Sequence, residues 1–345
     1  MNLPFDWPLL EHSTLGTMLG VFLRPGSTFS LNSLAVALFV ATGWLVWRRR
    51  SRGRKVRLRT IWHGLFPAKI WTSRSVRADI WLFFLNTMMM GLVLGWAIIG
   101  LFTVSEGVRI GLVSLFGARE PSGLADWQAS LLMTVVLFLA YEFGYWLDHA
   151  LKHAVPFLWE FHKVHHSAEH LTPLTAFRMH PGDSLIFANI LAVTLGLANG
   201  VGSWALGGSV TEFTVTGTNA ILVVFMHLYI HLQHSHVWIP FRGWVGRILM
   251  SPAHHQIHHS LAPEHFNKNM GSCLSLWDWL FGTLYIPPRK PGQMRFGIDP
   301  QGRDVHDIGE ALIGPVRDAA GHLVRPGDMT QPDPQDGGQL DGSRR

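Results

Sequence analysis

Residues 127–166 read WQASLLMTVVLFLAYEFGYWLDHALKHAVPFLWEFHKVHH, and this stretch decides the fold class. Its first part, Trp127–Leu147, is apolar except for Gln128 and Glu142. As a helix it is long enough to cross a hydrocarbon core of about 30 Å. His149 and His153 follow at once, four residues apart, so a continuing helix presents both imidazoles to one side. His162, His165 and His166 are expected to add three more on one helix face. Neutral imidazole is a common ligand for zinc, copper, iron and nickel. A membrane-length run ending in histidine pairs therefore points to a metal site at a membrane surface.

Working outward, 16 of the 20 histidines fall in three bunches, at 149–180, 227–236 and 254–265. The third bunch repeats the tight spacing in His255, His258 and His259, and His231 and His234 form another pair. Ten imidazoles with this spacing exceed the four to six ligands of one ion, so two metals would use them. The zinc-protease pattern His-Glu-x-x-His and the Glu-x-x-His of carboxylate-rich di-iron bundles are both absent. An all-histidine pair is compatible with iron and oxygen chemistry, while spacing alone leaves zinc and copper open. His170, His227, His236 and His265 read as surface or packing residues. His12, His63, His306 and His322 read as incidental, and His254 as a neighbour of the third box.

The bulk composition agrees with a membrane protein. Of 345 residues, 48% are apolar and only 15% charged, against about 25% charged in soluble domains. Fifteen tryptophans suit a membrane–water interface. The net charge of +5 is modest and its cations are concentrated in one stretch, which argues for topology and against a nucleic-acid surface. Cys273 is the only cysteine, which excludes an intramolecular disulfide, a cysteine zinc site and a cysteine-held iron–sulfur cluster. The first 23 residues hold no Lys or Arg, so a secretory leader is not expected.

Five segments are expected to be membrane helices: Phe29–Trp47, Ile80–Val104, Trp127–Leu147, Ser184–Trp204 and Val210–Ile230. The last two are weaker, with a break near Gly200–Gly208. Between Arg48 and Arg77 lie eleven Lys or Arg and no acid, which assigns that loop to the cytoplasm. Counting crossings from it brings all three histidine bunches to the same cytoplasmic face. Among acids, Glu142 lies seven residues before His149 on one helix face. An ionisable residue there is a functional candidate. Glu142, Asp148 or Glu160 is expected to accept the outer ring N–H of a ligand histidine. The basic faces Arg48–Arg59 and Lys152–Lys163 are candidates to dock an acidic electron donor, the first being better explained as anchoring. His180-Pro-Gly-Asp183 has a short likeness to a haem-binding motif, but no separate soluble domain surrounds it.

Together these residues resemble the fatty acid hydroxylase / sterol desaturase superfamily, membrane di-iron enzymes with HxxxH, HxxHH and HxxHH boxes and a further histidine between the last two. The match runs through Glu142-Phe-Gly-Tyr-Trp-Leu-Asp-His149-Ala-Leu-Lys-His153 and Phe161-His-Lys-Val-His-His166. It continues in Arg178-Met-His-Pro181, Gln233-His-Ser-His236 and Ser251-Pro-Ala-His-His-Gln-Ile-His-His259. Asn267-Lys-Asn-Met-Gly271 and Trp277-Asp-Trp-Leu-Phe-Gly-Thr283 close it. The resemblance implies an all-α protein with about four to five transmembrane helices and a cytoplasmic helical cap that carries the boxes and two iron ions. It implies O2 as co-substrate and hydroxylation or desaturation of a lipid such as a sterol, a fatty acyl chain or an ether lipid. Its ligands would be His149, His153, His162, His165, His166, His234, His255, His258 and His259, with His231 or His180 as a tenth. Glu142 and Asp148 are the catalytic candidates. The expected domains are 1–78, with one membrane helix and a basic loop; 79–286, the membrane catalytic domain; and 287–345, a polar tail, partly disordered.

No Gly-x-Gly-x-x-Gly follows a strand and no cysteine cluster exists, so electrons would come from a separate ferredoxin, cytochrome or reductase. In a bacterium the membrane would be the inner one. Two other readings keep the metal: a zinc-dependent membrane hydrolase with metal-bound hydroxide as nucleophile, and a non-enzymatic metal- or haem-binding membrane protein.

Overall fold

Proline sets where the histidine-bearing helices start. Pro156, Pro181 and Pro252 each occupy the first turn of a helix, where a missing N–H costs nothing. The Ser251 side chain accepts from the His254 N–H, and the His180 ring accepts from the Gly182 N–H, each capping the helix that follows. A cap of this kind contributes about 1 kcal/mol.

The computed structural model describes residues 14–24, 27, 29–89, 99–300 and 302–324. It is an all-α, multi-pass membrane protein. The site is positioned by α1 (Leu31–Arg50), α2 (Arg74–Met89), α3 (Leu101–Phe116), α4 (Asp126–Ala154), α5 (Pro156–His166), α6 (Pro181–Ala205), α7 (Ala220–Gln233), α8 (Pro252–His258) and α9 (Ile308–Val324). Helices α1, α4 and α6 are long and apolar enough to cross a membrane, and α7 is a shorter apolar helix.

Contacts along α4 and α6 fix their antiparallel course. Lys152 meets Asp183 at one end, Gly144 faces Thr194 midway, and Gly202 faces Met133 at the other end. Helix α3 lies along the second half of α6. A Cβ on Gly196 would fall 2.7 Å from Val104 Cβ, and one on Gly200 2.5 Å from the Ser105 carbonyl oxygen. This small-xxx-small face lets two backbones approach closely, as membrane helices do where burial of apolar surface supplies no drive. Helix α7 returns beside α4, with Phe225 stacked on Phe138 at 5.6 Å. The end of α4, the start of α6 and the end of α7 therefore meet at one end of the bundle, as the count of crossings requires. Helix α1 starts there too: Ser33 Oγ is 2.9 Å from His231 Nε2, and Ala37 and Ala41 pack on Leu232, Val237 and Ile239.

Two expected segments differ in detail. The second is divided: α2 ends at Met89, residues 90–98 lie outside the described residues, and α3 starts after Gly100. The fifth starts later than Val210, because a two-residue hairpin, β1 (Thr214–Val215) and β2 (Thr218–Asn219), precedes α7. Thr216 and Gly217 supply the positive φ values of that turn, and the Asn219 side chain caps α7. The break expected near Gly200–Gly208 comes at its end, since α6 runs to Ala205 and Gly207 has φ +72°. Within the expected polar tail, α9 is a folded helix; the final twenty residues lie outside the described ones.

Candidate metal centre

Helical phase sorts the boxes into two groups. On a helix a residue four along is offset by about +40° and one three along by about −60°, so those two rings diverge by about 100°. The first group joins two pairs spaced four apart, His149 with His153 and His162 with His166, to the single His258. The second joins the pair His255 and His259 to the single His165, with His234 completing it. Within each group the candidate donor atoms lie within 4.8 Å of one another. Each three-histidine box thus feeds both groups rather than presenting one face. The groups adjoin, since His165–His166 and His258–His259 are neighbours in the chain and the rings of His166 and His259 are 4.6 Å apart.

The ring nitrogens fit metal ions. Nε2 of His166 lies 3.2 Å from that of His153 and 3.1 Å from that of His258. In the second group the Nε2 separations are 3.1 Å for His165–His234, 2.9 Å for His234–His255 and 3.2 Å for His255–His259. Adjacent ligands of one ion bound at about 2.1 Å sit about 3 Å apart. Neutral imidazole carries one N–H, so not every such contact can be a hydrogen bond, and lone pairs crowded together need a cation between them. His149 Nε2 and His162 Nε2 are buried with no protein partner, as donors waiting for an ion would be. Burial pushes His165 and His258 down to about 3, and His166, His255 and His259 also fall well below the usual range. At neutral pH these rings are in the uncharged, ligating form.

One loop braces the first group. The His149 Nδ1–H donates to the Met270 carbonyl at 2.8 Å, and the His258 Nδ1–H to the Lys268 carbonyl at 2.9 Å. That fixes both tautomers with Nε2 inward. Asn267 and Asn269 hold the loop's left-handed turns, with φ of 56° and 58°. Asp278 accepts the N–H groups of Met270 and Gly271 at 2.8 Å. Glu142 accepts those of Cys273 and Leu274 at 2.9 and 2.7 Å. On the other side, Asp183 Oδ2 is 3.4 Å from His162 Nδ1, and Lys152 binds Asp183 at 2.5 Å and Asp148 at 2.7 Å, all buried.

Nine of the ten expected histidines converge; His231 does not. The helix ends at Gln233 and the His234 backbone leaves it, so the i, i+3 rule fails for that pair. His231 turns to Ser33 and to the Phe29 ring, 5.4 Å away. His180 is no substitute: its Nδ1 caps α6 and its Nε2 donates to the Leu312 carbonyl, which also leaves no nitrogen for haem. The expected role of the acids is corrected as well. Glu142 accepts backbone N–H groups, Asp148 pairs with Lys152, and Glu160 pairs with Lys163 and His322. The carboxylate facing a box histidine is Asp183. Lys152 is buried and Lys163 is engaged by Glu160 and Asp318, so that pair is not an open docking face. Asp278 and Asn269 sit in motifs visible in the sequence, but nothing there marks that they act on backbone groups; Asp183 acts by its carboxylate, on His162 and Lys152.

Residues 134–283 match the fatty acid hydroxylase family model. The chain is 28% identical to human (Homo sapiens) alkylglycerol monooxygenase over 222 residues, covering 59% of this chain and 46% of that protein. It is 30% identical to the ornithine lipid hydroxylase OlsE of Rhizobium tropici over 174 residues, covering 50% and 47%. A cholesterol 25-hydroxylase-like protein of Danio rerio is 31% identical over 43% of this chain and 53% of its own length. The chain thus spans about half the length of the curated relatives it matches. No solved structure matches. The stretch that matches carries every histidine of both groups, and over that stretch the chain is similar to the fatty acid hydroxylase family.

Proposed function

We propose that the chain is a membrane-bound, O2-dependent di-iron oxidoreductase that hydroxylates a lipid. One observation carries the reading: nine buried or half-buried imidazoles stand in two adjoining groups at the end of a membrane bundle. The relatives act, by name, on an alkylglycerol, an ornithine lipid and cholesterol, all membrane amphiphiles. They are monooxygenases or hydroxylases, which favours hydroxylation or ether cleavage over desaturation.

The nine histidines would hold the two irons: His149, His153, His162, His166 and His258 one, His165, His234, His255 and His259 the other. When bound there, the irons supply O2 activation, with one oxygen atom going to the lipid carbon, the other to water, and two electrons arriving from a separate ferredoxin, cytochrome or reductase. The chain's own residues do the rest. His153 is the one half-buried ring of the nine, so substrate meets the first group on that side. The Trp159 ring, 5.1 Å from His153 and 5.3 Å from His166, lines that side. Glu142 and Asp148 act by position, one through the loop and one through Lys152. The basic stretch Arg48–Arg77 supports a cytoplasmic histidine end, which it reaches where the Gly64 carbonyl meets His236 Nε2 at 2.8 Å. Residues 79–286 would then be the catalytic unit, with 1–78 as its anchoring segment.

Lipid mass spectrometry under 18O2 tests the function, comparing cells that make the chain with cells that make His258→Ala. A species carrying label in the first and missing in the second supports hydroxylation or ether cleavage. A double bond formed without label means desaturation, and identical lipidomes refute the reading.

A further inference from the structure

Helix α9 lies outside the family match and within the segment expected to be a polar tail, yet it is built into the site. One face is buried: Ala311 packs with Leu82 of α2 and Val164 of α5, beside Leu85 and Ile308. The Leu312 carbonyl accepts from His180, the residue that caps the membrane helix α6. Further along, Asp318 binds Lys163 at 2.8 Å and His322 lies 3.2 Å from Glu160, both on the helix that carries the second box.

The opposite face is apolar and open. Ile313, Val316 and Leu323 are 67%, 53% and 69% exposed, at spacings that put them in one stripe with Ala320 between. Arg317 and Glu310 run along one edge of that stripe, 2.9 Å apart. The level of the stripe follows from its neighbours. Leu82 and Leu85 stand about 12–16 Å along α2 from Arg74, within the apolar run of that helix. Leu312 touches the residue just before α6 enters the bundle. The open stripe of large aliphatic side chains thus stands beside α2, whose own outer face exposes Trp81 and Phe84.

We propose that α9 is an in-plane helix whose Ile313–Val316–Leu323 stripe is seated in the lipid of the membrane interface. Its ion pairs link that lipid contact to the second histidine box. Helices that lie in an interface combine an apolar face with a charged edge at headgroup level in this way. The occupant is lipid rather than a soluble partner, because the stripe carries no polar group of its own and stands beside the outer face of α2 that exposes Trp81 and Phe84.

Nitroxide accessibility on the full chain in phospholipid nanodiscs tests this. The only cysteine, Cys273, is fully buried, so a label reports the introduced site. Ile313→Cys, Val316→Cys, Leu323→Cys and Arg317→Cys are labelled one at a time, and collision with O2 is compared with collision with a nickel chelate. The expected result is an O2-to-nickel ratio several-fold higher at the three aliphatic positions than at Arg317. A ratio as low as that of Arg317 at all three overturns the proposal and gives the stripe to water and soluble partners. Positions closed to both reagents, as under a second protein, overturn it too. Iron content of each labelled variant confirms that the helix still braces the site.

Discussion

In the first histidine group three outer nitrogens are tied down: His149 to Met270, His258 to Lys268, and His162 to Asp183. In the second group the Nδ1 atoms of His255 and His259 are buried and meet no protein partner. The first group is thus shaped by the protein before any ion arrives. The second relies on the ion itself, and on two helices it shares with the first, to orient its rings. Outer partners of this kind are worth tenfold to hundredfold in metal affinity, so the two sites should hold their metals unequally, the second more weakly.

The largest effect should come from removing a ligand. His166→Ala and His255→Ala should each abolish hydroxylation, and elemental analysis should show His255→Ala keeping the first metal. Loss of both metals in each variant would show that neither site stands alone. Next in size is Lys152→Met, which leaves Asp148 and Asp183 buried without their cation. Breaking a buried ion network costs about 3–5 kcal/mol, read as a fall in the detergent-solubilised melting temperature, with the first metal lost before the second. Acid should spare neither group. His165 and His258 titrate near 3 when folded and near 6.5 when unfolded. The unfolded chain therefore binds more protons between those values, and stability present above pH 6.5 drains away as pH falls. At pH 5 each ring removes roughly 2 kcal/mol from the metal-free protein, measurable as a melting temperature lower than at pH 7.5.

A smaller change separates the groups. Asp183→Asn should weaken the first metal by about 10–100-fold and leave the second unchanged in a chelator titration. Equal weakening would erase the distinction drawn between them. His231→Asn should do least: metal content stays at the parent value, because that ring faces Ser33 and Phe29.

Local periodicity carried most of what the sequence could show. The apolar runs ending at His149 and His231, and the i, i+4 spacing within each box, place nine histidines at one end of the bundle. The same periodicity misled at His231, where the helix stops one residue before His234. It also hid the split of each box, since same-face reasoning was applied to i+3 and i+4 alike. What brings Met270 and Lys268 to the site is their carbonyl oxygens, which every residue possesses, so side-chain pattern could not single them out. Asp183 reaches His162 across 21 residues through the meeting of α5 and α6, a tertiary contact. Helix α9 was missed because its polar residues, read in one dimension, look solvated, whereas folded Asp318 and His322 face Lys163 and Glu160.

The central claim is that these nine imidazoles hold two irons. Elemental analysis of the purified full chain, produced with iron and zinc both available, tests it most directly. Two iron atoms per chain are expected. A single metal per chain, or two zinc atoms in place of iron, would contradict the claim.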